Sequence, residues 1–559
     1  MIGVEEFRQP RSEVTYLRRF ASFVTGHTTE ILIFVLAFAL YLPGITWGLP
    51  DATGPDRVFP WAYDDLSPLP ALTESYHTFV ADSPDHWVAY PLMHYLVLSA
   101  SYSPYLAWLK LSGAWKAPAA DWPYGFADTA SALKALTLIA RLVSILMGAG
   151  VIVIAYRMGT LLWDRRAGLL SAAIACLSYP MFYYTKTANL EIPYLFWTGL
   201  GMLVYATMMV RGANISRAGW LGVFAGFAAA TKDQTAGFFL PMPLLFLPWR
   251  RAAPAVRSGW WKMLMALIAV GAISYSLASG LVLGPHRYLD HVRWLFVGDQ
   301  VNAAFNNLYP KTLAGTLALL ARIPKTLVWW FGPLIVLAAI AGFVERGTRR
   351  IALWMLLPTT SYVILFLIPL HYFKARHIVA LGLLLALFAA RGLSLTMERV
   401  SSGVVKVLIL VAILAWPAIM SGDLIFQMSH DSRYAAGSWL AANMPAGSRI
   451  ADCGGSRKLP ILRRDVRIVE LKTGQVAFQD LAEQQPEFVE VIPDWTGRPG
   501  MELSRVCPQS LYDRLGDGSL GYELAASFKT HSLIDRQMMD YPTVNPPVLI
   551  YRRKAGVSR

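Results

Sequence analysis

Residues 140–196 read ARLVSILMGAGVIVIAYRMGTLLWDRRAGLLSAAIACLSYPMFYYTKTANLEIPYLF. They contain most of an apolar run at 132–155, all of a second at 167–184 and the start of a third at 191–210. The first connection holds Arg157, Arg165 and Arg166; the second holds Lys186 and ends at Glu191. A membrane helix needs about 20 mainly apolar residues, and arginine-rich turns mark the cytoplasmic side of a membrane. The stretch therefore reads as consecutive spans, with Lys186 and Glu191 on the face opposite the arginines. Arg141 lies between LTLIA and LVSIL, and an ion in such a run faces a cavity or a partner.

The same pattern extends along the chain. Eleven segments qualify as spans, some short or broken by proline: about 30–49, 132–155, 167–184, 191–210, 218–231, 235–249, 261–284, 326–344, 351–371, 377–393 and 403–421. Composition agrees. The 559 residues are 55% hydrophobic, contain 42 glycines besides, and are only 15% charged, where about 25% is usual in soluble domains. A globule of that composition has too little polar surface to cover itself, and disordered, collagen-like and disulfide-scaffold classes are excluded too. The net charge of +14 is unevenly placed: residues 424–559 carry 17 basic and 15 acidic side chains, and the rest sits in short arginine clusters between apolar runs. That is the pattern of cytoplasmic loops, not of a nucleic-acid footprint.

Orientation follows from the clusters. Arg8, Arg11, Arg18 and Arg19 precede the first span, and alternate connections carry Arg211 and Arg217, Arg250 and Arg251, Arg346, Arg349 and Arg350, and Arg391 and Arg399. The sequence thus predicts a cytoplasmic N-terminal arm (1–29), a transmembrane domain (30–423) and an extracytoplasmic domain (424–559), in a membrane that is most simply a bacterial inner (plasma) membrane. Two long outer loops are expected, 50–131 and 285–325. Within the first, 88–112 is expected as an interfacial helix, because counting it as a span would reverse every later loop. In the last 130 residues, strand-like runs at 448–452, 466–471, 488–493, 522–528 and 547–552 follow a helix at 434–444, which predicts a small α/β domain. Cys453 and Cys507 could pair there in an oxidising compartment; Cys176, in an apolar run, reads as an inert thiol.

Candidate chemistry gathers on the outer side. Asp64 and Asp65 follow the first span in FPWAYDDLSPLPAL. They are either a solvated loop pair or a desolvated carboxylate able to take a proton from a hydroxyl or amine, with its neighbour orienting a group or binding substrate. Glu191 is either a helix-start acid favoured by the helix dipole, a contact to acceptor or sugar, or a support for the Asp64-Asp65 pair. Lys186 and Lys232 sit at span ends, where snorkelling is ordinary. Arg376 and His377, with Lys374 and His371, form a denser basic cluster that could hold a lipid phosphate or ordinary headgroups.

The order of these features resembles the GT-C superfamily of membrane glycosyltransferases, in particular the branch of protein O-mannosyltransferases and the lipid A aminoarabinose transferase. The matching pieces are the Asp64-Asp65 pair, Tyr90-Pro91-Leu92 with His94-Tyr95, residues 140–196 with Glu191, AGFAAATKDQTAGFFLPMPLL around Lys232, and KARHIVAL with Arg376 and His377. Asp65 stands where Glu is commoner, and His377 where Tyr is usual. The resemblance implies a polytopic α-helical fold of about 11 transmembrane helices with a small C-terminal α/β extracytoplasmic domain. It further implies inverting transfer of a sugar from a polyprenyl-phosphate donor to a lipid, glycan or protein acceptor, with membrane lipids as surroundings and no nucleic-acid partner. Asp64 would act as general base, Asp65 and Glu191 would orient acceptor or sugar, and Arg376, Lys232 and Lys186 would balance charge on the departing phosphate. Arg141, His377 and Tyr90 complete the expected substrate-binding set; no cofactor, nucleotide-sugar site or metal cage is expected. A transporter or a non-catalytic membrane scaffold are the competing classes. Against transport stand the absence of an internal repeat and the position of the ionisable residues at the outer edge.

Overall fold

The computed structural model describes residues 26–62, 65–81, 85–246, 254–297, 309–452, 459–471, 476–492, 508–534 and 544–554. Helices dominate as far as residue 443: α1 (Thr28–Tyr41), α2 (Leu69–Tyr76), α3 (Met93–Leu111), α4 (Thr129–Leu162), α5 (Arg165–Cys176), α6 (Tyr179–Tyr184), α7 (Glu191–Arg211), α8 (Ile215–Thr231), α9 (Pro254–Ala278), α10 (Pro285–Val297), α11 (Leu313–Phe331), α12 (Pro333–Val344), α13 (Arg349–Tyr362), α14 (Val379–Arg399), α15 (Gly403–Ser429) and α16 (Ser432–Asn443). The axis of the bundle is α4. Asp128 caps it by accepting from the Ser131 amide, and its 34 residues reach about 51 Å at 1.5 Å per residue, beyond the ~30 Å of a hydrocarbon core. α1, α5 and α7 pack along it.

Small residues let the helices approach closely. A Cβ on Gly392 of α14 would stand 2.0 Å from the Ala338 carbonyl, and one on Gly342 of α12 would stand 2.0 Å from the Phe388 carbonyl. Each glycine admits the other helix's backbone, the packing device of membrane helices that lack a hydrophobic drive toward each other.

The spans differ from the sequence reading in continuity. Among the described residues, six helices are long and apolar enough to cross a membrane, or seven if α11 and α12 form one span. Those two meet at 114°, so 326–344 is not a straight helix. Gly332, at φ +82°, turns the chain there, and Pro333 starts α12 without an amide to donate. Likewise 235–249 is divided among Ala236–Phe239, Met242–Phe246 and residues outside the described set, with Pro241 at the break between the first two. The 167–184 run breaks at Leu177-Ser178. In 30–49 the helix ends at Tyr41, before Pro43 and Gly44. The predicted interfacial segment is α3, and the stretch expected as a second long loop contains α10 and the start of α11.

The two ends of the bundle are chemically distinct. At one, Arg157 pairs with Glu30 (3.2 Å), Arg165 donates to the Thr29 hydroxyl (3.1 Å) and Arg391 faces Glu345 (3.8 Å). At the other lie the described residues among 44–92, 185–190, 232–235 and 371–377, together with the described part of the C-terminal domain.

That domain is a five-stranded mixed sheet in the order β2-β1-β3-β5-β4, with β1 (Arg449–Asp452), β2 (Arg467–Glu470), β3 (Phe488–Val491), β4 (Tyr522–Phe528) and β5 (Val548–Arg553). β1 pairs in parallel with β2 and β3, while β5 runs antiparallel to β3 and β4. The central β3 is buried at every position. Apolar clusters lie on both faces, one holding Leu440 of α16, the other Leu481 of α17 (Val476–Gln484) and Leu511 of α18 (Gln509–Gly516). All five expected strands form, each within two residues of its expected ends. Cys453 and Cys507 lie outside the described residues.

Candidate active site

Three helix ends converge on Glu191. It is the first residue of α7, 2% exposed, and the sequence reaches it through the tight segment Thr185–Leu190, all of it buried. Lys232 leaves the C-terminus of α8 in an extended conformation (φ −155°), which turns its side chain back toward α7. Its Nζ donates to Glu191 Oε1 at 2.8 Å and lies 5.2 Å from the centre of the Tyr194 ring. Arg376 Nε stands 4.0 Å from the same carboxylate oxygen.

Residues 371–378 present that arginine. His371 adopts a left-handed conformation (φ +47°), ending the preceding helical turn, and Ala375–Ile378 form one 3₁₀ turn before α14. Two tyrosines fasten the turn: Tyr194 donates to the Arg376 carbonyl (3.3 Å) and Tyr362 to the His377 carbonyl (2.8 Å). His377 is buried between Phe366 and Tyr372, accepts from the Lys374 amide on Nδ1 (3.4 Å), and lies within electrostatic reach of Arg376, Lys232 and Lys374. The result is a buried carboxylate flanked by two cations from separate turns, Lys232 and Arg376, with Lys374 near the adjoining His377, a setting in which a phosphate can exchange protein donors for its lost water.

Asp65 sits on a loop bonded to the segment that leads into this cluster. Asp64 lies outside the described residues; Asp65 is 3% exposed. Asp65 Oδ1 accepts from the Ser67 amide (2.8 Å) and hydroxyl (2.6 Å), while its Oδ2 is 3.7 Å from Nη2 of Arg141. Arg141, fully buried, also donates to the Ile45 (2.7 Å) and Trp47 (2.6 Å) carbonyls. Asp65 and Arg141 therefore brace the loop after α1 against α4. The Leu66 amide donates to the Ala188 carbonyl (3.2 Å), which joins this loop to the segment leading into Glu191.

Among the remaining expected residues, Lys186 is fully buried, donates to the Phe182 carbonyl (3.0 Å) and faces the Phe182 and Tyr41 rings at 4.5 and 5.6 Å. Burial pushes its ammonium down to about 7. No carboxylate among the described residues pairs with it, so the structure separates it from the Glu191 group. Tyr90 contributes its carbonyl to Arg287 (2.8 Å).

Arg287 belongs to a network that the sequence did not flag. Glu74 of α2 is fully buried, ion-paired with Arg287 of α10, hydrogen-bonded to His86 (3.2 Å), and accepts from the Trp87 amide (2.8 Å). Beside it, His291 is hydrogen-bonded to the Val88 carbonyl (2.6 Å) and Asp233 (3.2 Å). These contacts dock α10 on α2 and residues 86–90. The only local signal was a lone acid within LPALTESY, on a helix whose other face is apolar.

No protein-family model matches the sequence, and no curated protein does. Solved structures similar to it include ArnT from Cupriavidus metallidurans in the apo state (12% identity, 94% of this chain and 98% of that one, TM-score 0.46). The Archaeoglobus fulgidus oligosaccharyltransferase in complex with Zn and sulfate is another (14%, 82% and 68%, TM-score 0.45). A third is the arabinofuranosyltransferase AftD from Mycobacteria (16%, 95% and 42%, TM-score 0.40).

Proposed function

We propose that this chain is a membrane glycosyltransferase that takes a sugar from a polyprenyl-phosphate donor and passes it to a lipid, glycan or protein acceptor on the face opposite the arginine-rich loops. The observation that carries the reading is the grouping of Lys232 and Arg376 around Glu191, joined through Leu66 and Ala188 to the loop of Asp65. That arrangement offers an anion seat and, next to it, the carboxylate of Asp65. The order of motifs in the sequence supports the same assignment.

In the proposed reaction Asp64 takes the proton of the acceptor hydroxyl or amine as that atom attacks the anomeric carbon. The bond between that carbon and the phosphate oxygen breaks on the opposite side, and its electron pair leaves with the lipid phosphate, so configuration inverts. Arg376 and Lys232 stabilise the charge that grows on the phosphate. Glu191 holds those cations in place rather than meeting the acceptor, since its carboxylate is already bonded to Lys232. Asp65 is similarly committed to Ser67 and Arg141, which leaves Asp64 as the member of the pair assigned to the proton transfer.

Asp64→Asn in purified, lipid-reconstituted protein is expected to lower transfer at least 100-fold, within the ~10²–10⁴ range of general base catalysis, while undecaprenyl phosphate still binds. Unchanged transfer would remove Asp64 from the mechanism. Solute uptake into proteoliposomes without any sugar transfer would favour a transporter.

A further inference from the structure

Among the described residues the C-terminal domain meets the membrane domain at the end of α15, where Asp423 accepts from the Leu533 amide (2.8 Å), and at the loop that leads to Asp65. Residues 47–61 of that loop fold back on themselves. The Trp61 amide donates to the Gly48 carbonyl (2.9 Å), and Gly48 is at φ +54°, where a Cβ would stand 2.5 Å from Trp61. The domain grips the fold-back from several directions. Trp47 Nε1 donates to Asp431 (2.9 Å), the Gly48 amide to the Tyr434 hydroxyl (3.2 Å) and Trp61 Nε1 to the Leu459 carbonyl (3.0 Å). Arg57 donates to the Arg463 carbonyl (2.9 Å).

At the centre is Arg433, 1% exposed. Its guanidinium lies 3.8 Å from the Trp61 ring centre, with Tyr434 against the same ring (5.0 Å). Asp431 holds that guanidinium through two bonds, to Nε (2.9 Å) and Nη2 (2.8 Å). Asp431 also accepts from the Asn545 amide (2.7 Å), just before β5, so the sheet is tied into the same point. A buried, bidentate pair stacked on an aromatic ring is among the most geometrically demanding contacts a protein makes.

We propose that Arg433, fixed by Asp431, is a positioning residue for sugar transfer: by seating Trp61 it sets the path of the chain into the acidic pair. Arg141 holds the same loop from the membrane side, through Trp47 and Asp65. The loop is thus clamped between α4 and the domain, and the domain is part of the catalytic unit. The catalytic half of this proposal rests on the role given to Asp64; the structural half does not.

The experiment uses the full chain in nanodiscs and measures amide hydrogen exchange, affinity for undecaprenyl phosphate alone, and transfer kinetics from a lipid-linked sugar. Arg433→Ala is expected to speed exchange over residues 45–62 at least fivefold. It should leave undecaprenyl phosphate affinity within twofold and lower kcat at least tenfold with little change in KM. Arg433→Lys should recover part of the kcat. Should Arg433→Ala not fold, Tyr434→Phe removes only the hydroxyl facing Gly48, and faster exchange confined to that turn is the expected result. Exchange over 45–62 that stays at the wild-type rate overturns the clamp. Faster exchange with unchanged kcat overturns the positioning role. A wild-type protein with no transferase activity overturns the proposed function instead, and the exchange result still decides the clamp.

Discussion

Arg141 shows what one residue can and cannot tell in advance. Its apolar flanks required a partner, but nothing in the sequence pointed to Asp65, 76 positions earlier, or to the Ile45 and Trp47 carbonyls. Removing the guanidinium leaves a buried carboxylate unpaired, a change that costs on the order of 3–5 kcal/mol. Arg141→Met should therefore lower the thermal midpoint of the solubilised protein markedly, whereas the double variant Arg141→Met with Asp65→Asn should recover part of it. Lys186 gives a prediction of opposite character. Its native ammonium loses its proton near pH 7, while in the unfolded chain it keeps it to about 10.4. Between those values the unfolded state binds more protons, so stability rises with pH across that window. Lys186→Met should abolish this rise; an unchanged pH profile of the midpoint would show that another group is responsible. Glu191 was visible as a helix-start acid, but its bond to Lys232 depends on how α7 and α8 meet, and no local spacing encodes that.

At the scale of elements, the sequence was read best where a pattern is local. The five strands are short strand-like runs, and all five lie where those runs put them. Broken spans were read worst. A window of apolar residues looks the same on a straight helix and across a corner, so 326–344 gave no sign of its 114° bend beyond the Gly332-Pro333 pair. Helix contact is encoded more plainly, in small residues. Gly392→Val would push two methyl groups toward the Ala338 carbonyl and force α14 away from α12. Overpacking of this kind typically costs about 1–3 kcal/mol. Because α14 begins at the turn that presents Arg376, the variant is expected to weaken undecaprenyl phosphate binding as well as stability, measured by titration and melting of the same sample. Stability lost with binding intact would separate the helix contact from the site.

Across the whole molecule, charge and polarity divide the chain between two ends. Arginines facing Glu30 and Glu345 occupy one, and Asp65, the Glu191 cluster and the C-terminal sheet occupy the other. This division was legible because loop arginines need no tertiary knowledge to be counted. The clamp on the first outer loop was not, since it joins residues more than 380 positions apart. One further element bears on the surrounding lipid. The 14 residues of α1 span about 21 Å, some 9 Å less than an average hydrocarbon core, and its first turn is anchored at the arginine end by Arg157 and Arg165. Beyond Tyr41 the chain turns inward, with Trp47 buried, and does not continue along the lipid. An average bilayer beside α1 would meet a hydrophobic wall too short for it, and the leaflet is expected to thin there. On the proposed function, a lipid phosphate would reach the site from that thinned leaflet. Transfer in vesicles of 14-carbon lipids is expected to exceed that in 22-carbon lipids several-fold, and rates indifferent to chain length would mean that the protein shields this wall by itself.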